Sequence, residues 1–234
     1  MRLIVTRPLG DAGPLRQKLE AMGHAVVLAP LLDIVPVRGA VIPDRDYQAI
    51  AFTSANGARA ISGHVALAGL RKLPAYAVGP QSAEAAEEAG FANVTVAGGD
   101  GKGLAAHIAA TREPSGGDIL HPAGHETAGD FANLLTEAGF AVTRIIVYSA
   151  EQVLLPSGLG EGADGVLLYS PRTARLWHDA LAGKAVGLVH FCLSHNVAAA
   201  LPETYTKRIA ASPEEEAMLA LIGAAERETR NSTT

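Results

Sequence analysis

The chain has 234 residues, enough for one large core or two smaller ones; 48% of them are hydrophobic, few are aromatic, and 25 are glycine. A formal net charge of −5 does not suggest a nucleic-acid partner. No apolar run reaches the ~20 residues of a membrane span, and the opening "MRLIVTRP" lacks the pattern of a secretory leader, so a cytoplasmic protein is expected.

Read in chain order, short apolar runs alternate with amphipathic stretches. "RLIVT" is a strand, followed by a helix over Ala12 to Met22 that stops at Gly23. "AVVLAP" and "AIAFTS" are strands, the second leading into a helix from about Asn56 to Ala68. "AYAVG" precedes the helix "PQSAEAAEEAG", with Gly90 as its stop. "VTVAG" is followed by "GGDGKG", Gly98 to Gly103, which lacks the spacing of a phosphate loop and reads as a flexible turn. A helix from Gly103 to Ala110 comes next, then the strand "DILHPAG" and a helix from Thr127 to Ala138 ending at Gly139. "VTRIIVYSA", "GVLLYS", "VHFCLS" and "KRIAAS" are further strands, the last three each followed by a helical pattern. The single Cys192, inside "VHFCL", excludes an intrachain disulfide and a cysteine zinc site and reads as a buried thiol. Residues after about Gly223 are polar and read as a frayed end, and the sequon Asn231-Ser232-Thr233 has no meaning without a secretory route.

Strand–helix alternation of this density predicts doubly wound parallel sheets. The chain also repeats itself. "LIVTRPLGDAGPLRQKLEAMGHAV" pairs with "ILHPAGHETAGDFANLLTEAGFAV", "FTSANGARA" with "YSPRTARL", "AVGPQSAEAA" with "CLSHNVAAAL", and "VAGGDGKGLAAHI" with "AASPEEEAMLALI". The order is kept and the offset stays at about 114 to 116, so the chain is an internal duplication of one α/β unit. Two such domains facing each other would create a cleft.

Ligands of open α/β sheets bind at the carboxyl ends of the strands. Here those ends carry Thr6-Arg7, Thr53-Ser54-Asn56, Gly79-Gln81-Ser82, His121-Gly124, Ser170-Arg172-Thr173, Ser194-Asn196 and Ser212. Each such turn also starts a helix, where free N–H groups favour anions. Taken singly, these residues are N-caps. Taken as a set they predict a large ligand with several anionic groups, gripped by hydroxyls and main-chain amides. No dinucleotide fingerprint, serine triad or metal motif is present; His121 and His125 lie in a proline- and glycine-containing loop without a third ligand, and no metal is expected.

"VTRP", "FTSANGARA", "YAVGPQSAEAAEEAGF", "VYSA", "LLYSPRTA" and the late "CLS" and "AASPEE" resemble, in order and spacing from Arg2 to about Gly223, the uroporphyrinogen-III synthase family. The resemblance implies two similar flavodoxin-like parallel-sheet domains joined by a two-stranded linker. Domain one would be 1–34 plus 152–234, domain two 40–147, with linkers at 35–39 and 148–151. It implies a cofactor-free enzyme that cyclises hydroxymethylbilane to uroporphyrinogen III with inversion of ring D; a monomer is expected separately, since the sequence offers no obvious self-association stripe. It also implies that Tyr148 of "IIVYSA" lies at the cleft, where a neutral phenol could donate a proton. Substrate contacts carried over by the same match are Thr6, Arg7, Ser54, Asn56, Gly79, Ser82, Gly124, Ser170, Arg172 and Ser194. The turn "LHPAGHE" departs from the family's usual arginine and glycine by keeping only Gly124, and Val197 stands where a hydroxyl is common. The alternatives are a non-catalytic two-domain binding module and a nucleotide-dependent transferase, the latter disfavoured by the missing phosphate fingerprints.

Overall fold

The computed structural model describes residues 1–126, 129–155, 158–181 and 187–231. In chain order the elements are β1 (Arg2–Val5), α1 (Leu9–Ala21), β2 (Ala25–Leu28), β3 (Leu32–Pro36), β4 (Tyr47–Phe52), α2 (Ala55–Ile61), α3 (Leu67–Leu70), β5 (Ala75–Ala77), α4 (Pro80–Glu88), β6 (Val94–Val96) and α5 (Gly101–Thr111). They continue with β7 (Asp118–Gly124), α6 (Phe131–Glu137), β8 (Val142–Gln152), β9 (Gly165–Leu168), α7 (Pro171–Leu181), β10 (Val189–Cys192), α8 (His195–Ala199), β11 (Thr206–Ile209) and α9 (Glu215–Asn231). The chain forms two compact units: Met1–Asp33 together with Glu151 onward, and Ile34–Ala150.

The first unit carries a sheet in the order β11-β10-β9-β1-β2, parallel throughout. Its central strands β1 and β9 are apolar on both faces past Arg2, as a doubly covered parallel sheet requires, while the edge strand β11 carries Lys207 and Arg208. Leu3 and Val5 of β1 join Leu15 and Leu19 of α1 and Met218 and Ile222 of α9 on one face. Ile4, between them, points the other way and packs with Trp177 of α7 and Val197 of α8.

The second unit carries β3-β8-β7-β4-β5-β6. Without the edge strand β3 this is the same order, because the duplicated segments make β7 and β8 the counterparts of β1 and β2, and β4, β5 and β6 those of β9, β10 and β11. The helices correspond as well. α2, α3 and α4 cover one face around Phe52, Ile61 and Phe91. α5 and α6 cover the other, around Leu104, Ile108, Phe131 and Leu135. The two repeats have thus exchanged their opening β–α–β segments: β1-α1-β2 completes the sheet built by the second repeat, and β7-α6-β8 completes the sheet built by the first.

The chain passes between units along β3 and β8. The Val37 N–H donates to the Val147 carbonyl and the Val153 N–H to the Leu31 carbonyl, so partners advance in opposite senses and the two strands are antiparallel. These strands take in residues assigned above to linkers.

Five local expectations are corrected. The helix expected over Asn56 to Ala68 is two helices, broken from Ser62 to Ala66. The run Gly98 to Gly103 is not a flexible turn. Gly98 and Gly99 adopt positive φ, and the Asp100 carboxylate then accepts from the Gly103 N–H at 2.7 Å and caps α5. His121 is not in a loop: it and Pro122 belong to β7. The polar end is not frayed after Gly223, since α9 runs on to Asn231 with Ala225 buried and Arg208 ion-paired to Glu228. The helix expected from Thr127 begins at Phe131, with Thr127 and Ala128 outside the described residues. Of the sequon, Ser232 and Thr233 also lie outside them. No helix among the described residues is long and apolar enough to cross a membrane.

Candidate active site

In the first unit the strand-end residues gather around the junction of β1 with β9. Ser170 follows β9, and its Oγ accepts from the Thr173 N–H at 3.1 Å. Thr173 Oγ1 in turn accepts from the Ser170 N–H at 3.2 Å. This is a reciprocal cap in which threonine does the work usually given to glutamate. Arg172 is half-buried in the first turn of α7. Ser194 caps α8 through the Val197 N–H at 3.4 Å.

The second unit repeats the device 116 residues earlier (170 − 54 = 116): Ser54 caps α2 by accepting from the Asn56 N–H at 3.2 Å. The Asn56 side chain accepts from Arg59. Gly79 caps α4 with an extended backbone and open space where a Cβ would stand. Capping consumes a lone pair on each serine oxygen and leaves the O–H of Ser54 and Ser194 to donate elsewhere, whereas the Ser170 oxygen also shares a hydrogen bond with Thr173 Oγ1 at 3.0 Å. Cap and ligand contact are therefore compatible roles for Ser54 and Ser194, and for Ser170 a ligand contact would compete with Thr173 for its hydroxyl hydrogen.

Three expected contacts are placed otherwise. Thr6 is fully buried, and its hydroxyl donates to the Leu167 carbonyl at 2.7 Å, stapling β1 to β9. Ser82 is 4% exposed, turned beneath α4, where a small residue suits close helix–sheet packing. Arg7 is pinned by Glu215 at 3.1 Å and Asp11 at 3.5 Å, and its guanidinium lies 4.7 Å from the centre of the Tyr169 ring. Lys18 reaches the same Glu215 at 2.6 Å. Burial beneath Arg7 raises the Tyr169 phenol well above its ordinary range, so it stays neutral. Arg7 therefore fastens β1, α1, β9 and α9 together.

Tyr148 and Gly124 meet directly. They are register partners in β8 and β7, and the pairing slips by one residue just before them. The slip leaves Val147 and Tyr148, consecutive residues, both packed against the cluster beneath α2. Strict alternation would have sent Tyr148 to the opposite face. A Cβ on Gly124 would stand 2.8 Å from the Tyr148 ring, so glycine is what lets the phenol lie across the end of β7. The His125 N–H donates to the Tyr148 carbonyl at 2.8 Å, and Arg144 donates to the carbonyls of Gly124 at 2.7 Å and His125 at 3.1 Å. Among the described residues no donor or acceptor pairs with the Tyr148 hydroxyl.

Sequence reasoning passed over Arg144, and it took His121 for a loop residue. His121 and Arg144 are register partners on neighbouring parallel strands, so their side chains share a face. His121 is 2% exposed; its Nε2 lies 3.0 Å from Thr53 Oγ1, and its ring meets Phe131 edge-on. Burial, and secondarily Arg144, push it down from 6.5 to about 4, so the ring is neutral near pH 7. The signal that could have flagged Arg144 is a lone cation in the otherwise apolar run "VTRIIV". Among the described residues no group of three or more His, Cys, Asp or Glu is arranged to hold a metal.

The family model for uroporphyrinogen-III synthase HemD matches residues 13–220. The chain belongs to this family. The uroporphyrinogen-III synthase of Chlorobaculum parvum is 27% identical over 197 residues, covering 78% of this chain and 80% of that protein. Among solved structures, the uroporphyrinogen-III synthetase of Helicobacter pylori superposes with a TM-score of 0.66 at 17% identity, over 96% of this chain and 100% of that one. A mutant uroporphyrinogen III synthase from Thermus thermophilus gives 0.56 at 16%, over 99% of each chain. At such identities the two structures speak for the fold alone. Membership places the chain among enzymes of tetrapyrrole synthesis, and the duplicated strand-end turns are where the fold presents polar groups.

Proposed function

We propose that the chain is itself a uroporphyrinogen-III synthase, a cofactor-free, monomeric cytoplasmic lyase that closes hydroxymethylbilane to uroporphyrinogen III with loss of water and inversion of ring D. The observation that carries this is the family match over 13–220, which includes the serine turns of both units. Hydroxymethylbilane has an acetate and a propionate arm on every pyrrole. Capped helix starts, serine hydroxyls and main-chain amides suit such a polyanion without a strongly basic protein. The proposed contacts are Ser54, Asn56, Gly79, Gly124, Ser170, Arg172 and Ser194. Thr6 and Ser82 drop out through burial, and Arg7 through its ion pairs.

The chemistry begins with departure of the terminal hydroxyl as water, leaving an electrophilic azafulvene. The substituted α-carbon of ring D attacks this carbon. The resulting spiro intermediate breaks the bond from ring D to the methylene it shares with ring C, and the other α-carbon of ring D attacks that freed methylene and loses its proton, which leaves the ring inverted. The bilane alone closes without inversion, so the protein's main task is to hold the chain in the folding that inverts. Tyr148, its phenol unpaired and supported on Gly124, is the proposed proton donor to the leaving hydroxyl.

The test is incubation with freshly generated hydroxymethylbilane, followed by separation of type I and type III products after oxidation. Type III product is expected, with kcat falling on the order of tenfold or more in Tyr148→Phe. Type III at an unchanged rate in Tyr148→Phe would leave the function and remove the phenol from the mechanism. Only type I, at the rate seen without protein, would overturn the function and leave a binding module.

A further inference from the structure

We propose that the cavity lined by Thr53, His121, Asn133 and Arg144 in the second unit receives one carboxylate arm of the substrate, a reading that rests on the function proposed above. The cavity measures about 220 Å³, and Gly129, Asp130, Phe131 and Ala132 complete its wall. It adjoins Thr53, at the carboxyl end of β4 and one residue before the capping Ser54, so an arm seated there would leave its pyrrole at the turn that "FTSANG" builds.

The donors are already oriented. Arg144 spends one terminal nitrogen on the carbonyls of Gly124 and His125. Among the described residues its other N–H groups have no protein partner, and a guanidinium braced at one end offers a planar set of donors to a carboxylate. Thr53 supplies a second donor through the choice of tautomer at His121. Nδ1 of His121 is buried without a partner. If Nδ1 carried the proton, an N–H donor would be orphaned in the core, the costlier of the two arrangements. The proton therefore sits on Nε2 and is donated to Thr53 Oγ1 at 3.0 Å, and the Thr53 hydroxyl hydrogen is turned outward. His121 is a positioning residue: it orients the hydroxyl and does not itself meet the arm. Phe131, packed edge-on against the imidazole, fixes that ring in turn. Asp130, exposed, is the one wall group that opposes an anion, so its removal should act in the opposite direction to the loss of a donor.

That opposition makes the test. KM and kcat for hydroxymethylbilane would be measured, with product isomers resolved, for the wild-type chain and for Arg144→Gln, Thr53→Val and Asp130→Asn. Arg144→Gln should raise KM about tenfold, the scale of one charge-assisted contact. Thr53→Val should raise it a few-fold and Asp130→Asn should lower it, each with kcat within about twofold of wild type. Arg144 also braces the turn beside Tyr148, so Arg144→Gln could fail through misfolding; Thr53→Val and Asp130→Asn leave that brace intact. A purely structural cavity would not make Asp130→Asn a tighter binder. If the wild-type chain makes type III product and neither Thr53→Val nor Asp130→Asn shifts KM by twofold, the subsite is overturned and the function stands. If the wild type makes type I only, the function falls and the subsite with it.

Discussion

Gly57, in the first turn and a half of α2, sets two opposing effects against each other. Alanine in a helix is favoured over glycine by about 1 kcal/mol, so Gly57→Ala should stabilise if propensity alone decided. A Cβ there, however, would stand 2.5 Å from the Pro122 carbonyl oxygen of β7, and that oxygen is backbone in the middle of a sheet and cannot swing aside. Relief requires α2 to lift from the sheet. Overpacking of this kind costs roughly 1–3 kcal/mol, and losing the Ser54 cap at the start of the same helix adds about 1. The clash wins, with a net destabilisation of about 1–3 kcal/mol. Gly13, inside α1, is the control: no atom beyond its chain neighbours and its own helix backbone lies within 4 Å of its Cβ position, so Gly13→Ala meets no tertiary clash. Because the following Pro14 crowds a Cβ in helical backbone, it should gain less than the full propensity of about 1 kcal/mol. Urea unfolding read by far-ultraviolet circular dichroism follows all helices. The single, fully buried Trp177 belongs to the first unit and reports Gly13→Ala by fluorescence. A midpoint for Gly57→Ala at or above wild type would refute the reasoning, because it would mean that α2 and β7 are not in the close contact described.

His121 gives stability a dependence on pH. The fold holds the imidazole at about 4 against 6.5 for the free group, so the unfolded chain takes up the proton first as pH falls. The contribution is complete above pH 6.5 and is lost by about pH 4, a change of about 3 kcal/mol for a shift of this size. Unfolding free energies at pH 7 and pH 4.5 should converge between wild type and His121→Asn; equal slopes in the two proteins would contradict the assignment. Thr6→Val removes the hydroxyl that donates to Leu167 and should lower the Trp177 fluorescence midpoint by about 1–2 kcal/mol of stability, with KM unchanged. A raised KM at wild-type stability would return Thr6 to the substrate contacts.

The duplication and the parallel sheets could be read from the sequence because both rest on short-range pattern: apolar strand runs, glycine stops and serine caps recur at a nearly constant offset. The serine turns at 54 and 170 were legible for the same reason, since a cap is chosen by the residues next to it. What escaped depends on distance or on a single residue's fit. Arg7 looks like a free cation beside "VTRP", but its partner Glu215 lies 208 residues away. Ser82 reads as a polar strand-end residue, yet it is small enough to pack under a helix. The slip at Val147 that turns Tyr148 onto Gly124 leaves no mark in "RIIVYSA", because it is set by how β8 pairs with β7. Arg144 escaped because its value comes from His121 across the ladder and the carbonyls at the end of β7.

The exchange of opening segments also orders events during synthesis. The second unit, Ile34–Ala150, is continuous, and every strand of its sheet beyond β3 has emerged by the time β8 is made. β1 lies inside its own sheet, and its neighbour β9 begins 163 residues after β1 does (165 − 2 = 163). At ribosomal speeds of about 5–20 residues per second, the β1-α1-β2 segment waits for roughly 8 to 30 seconds without Met218 and Ile222 over its Leu3 and Val5 face and without Trp177 and Val197 over Ile4. During that interval one edge of β1 is an unpaired strand of the kind that invites intermolecular pairing. The burden of chaperone protection therefore falls at the amino-terminal end of the nascent chain, on residues that in the finished protein are among its most deeply buried.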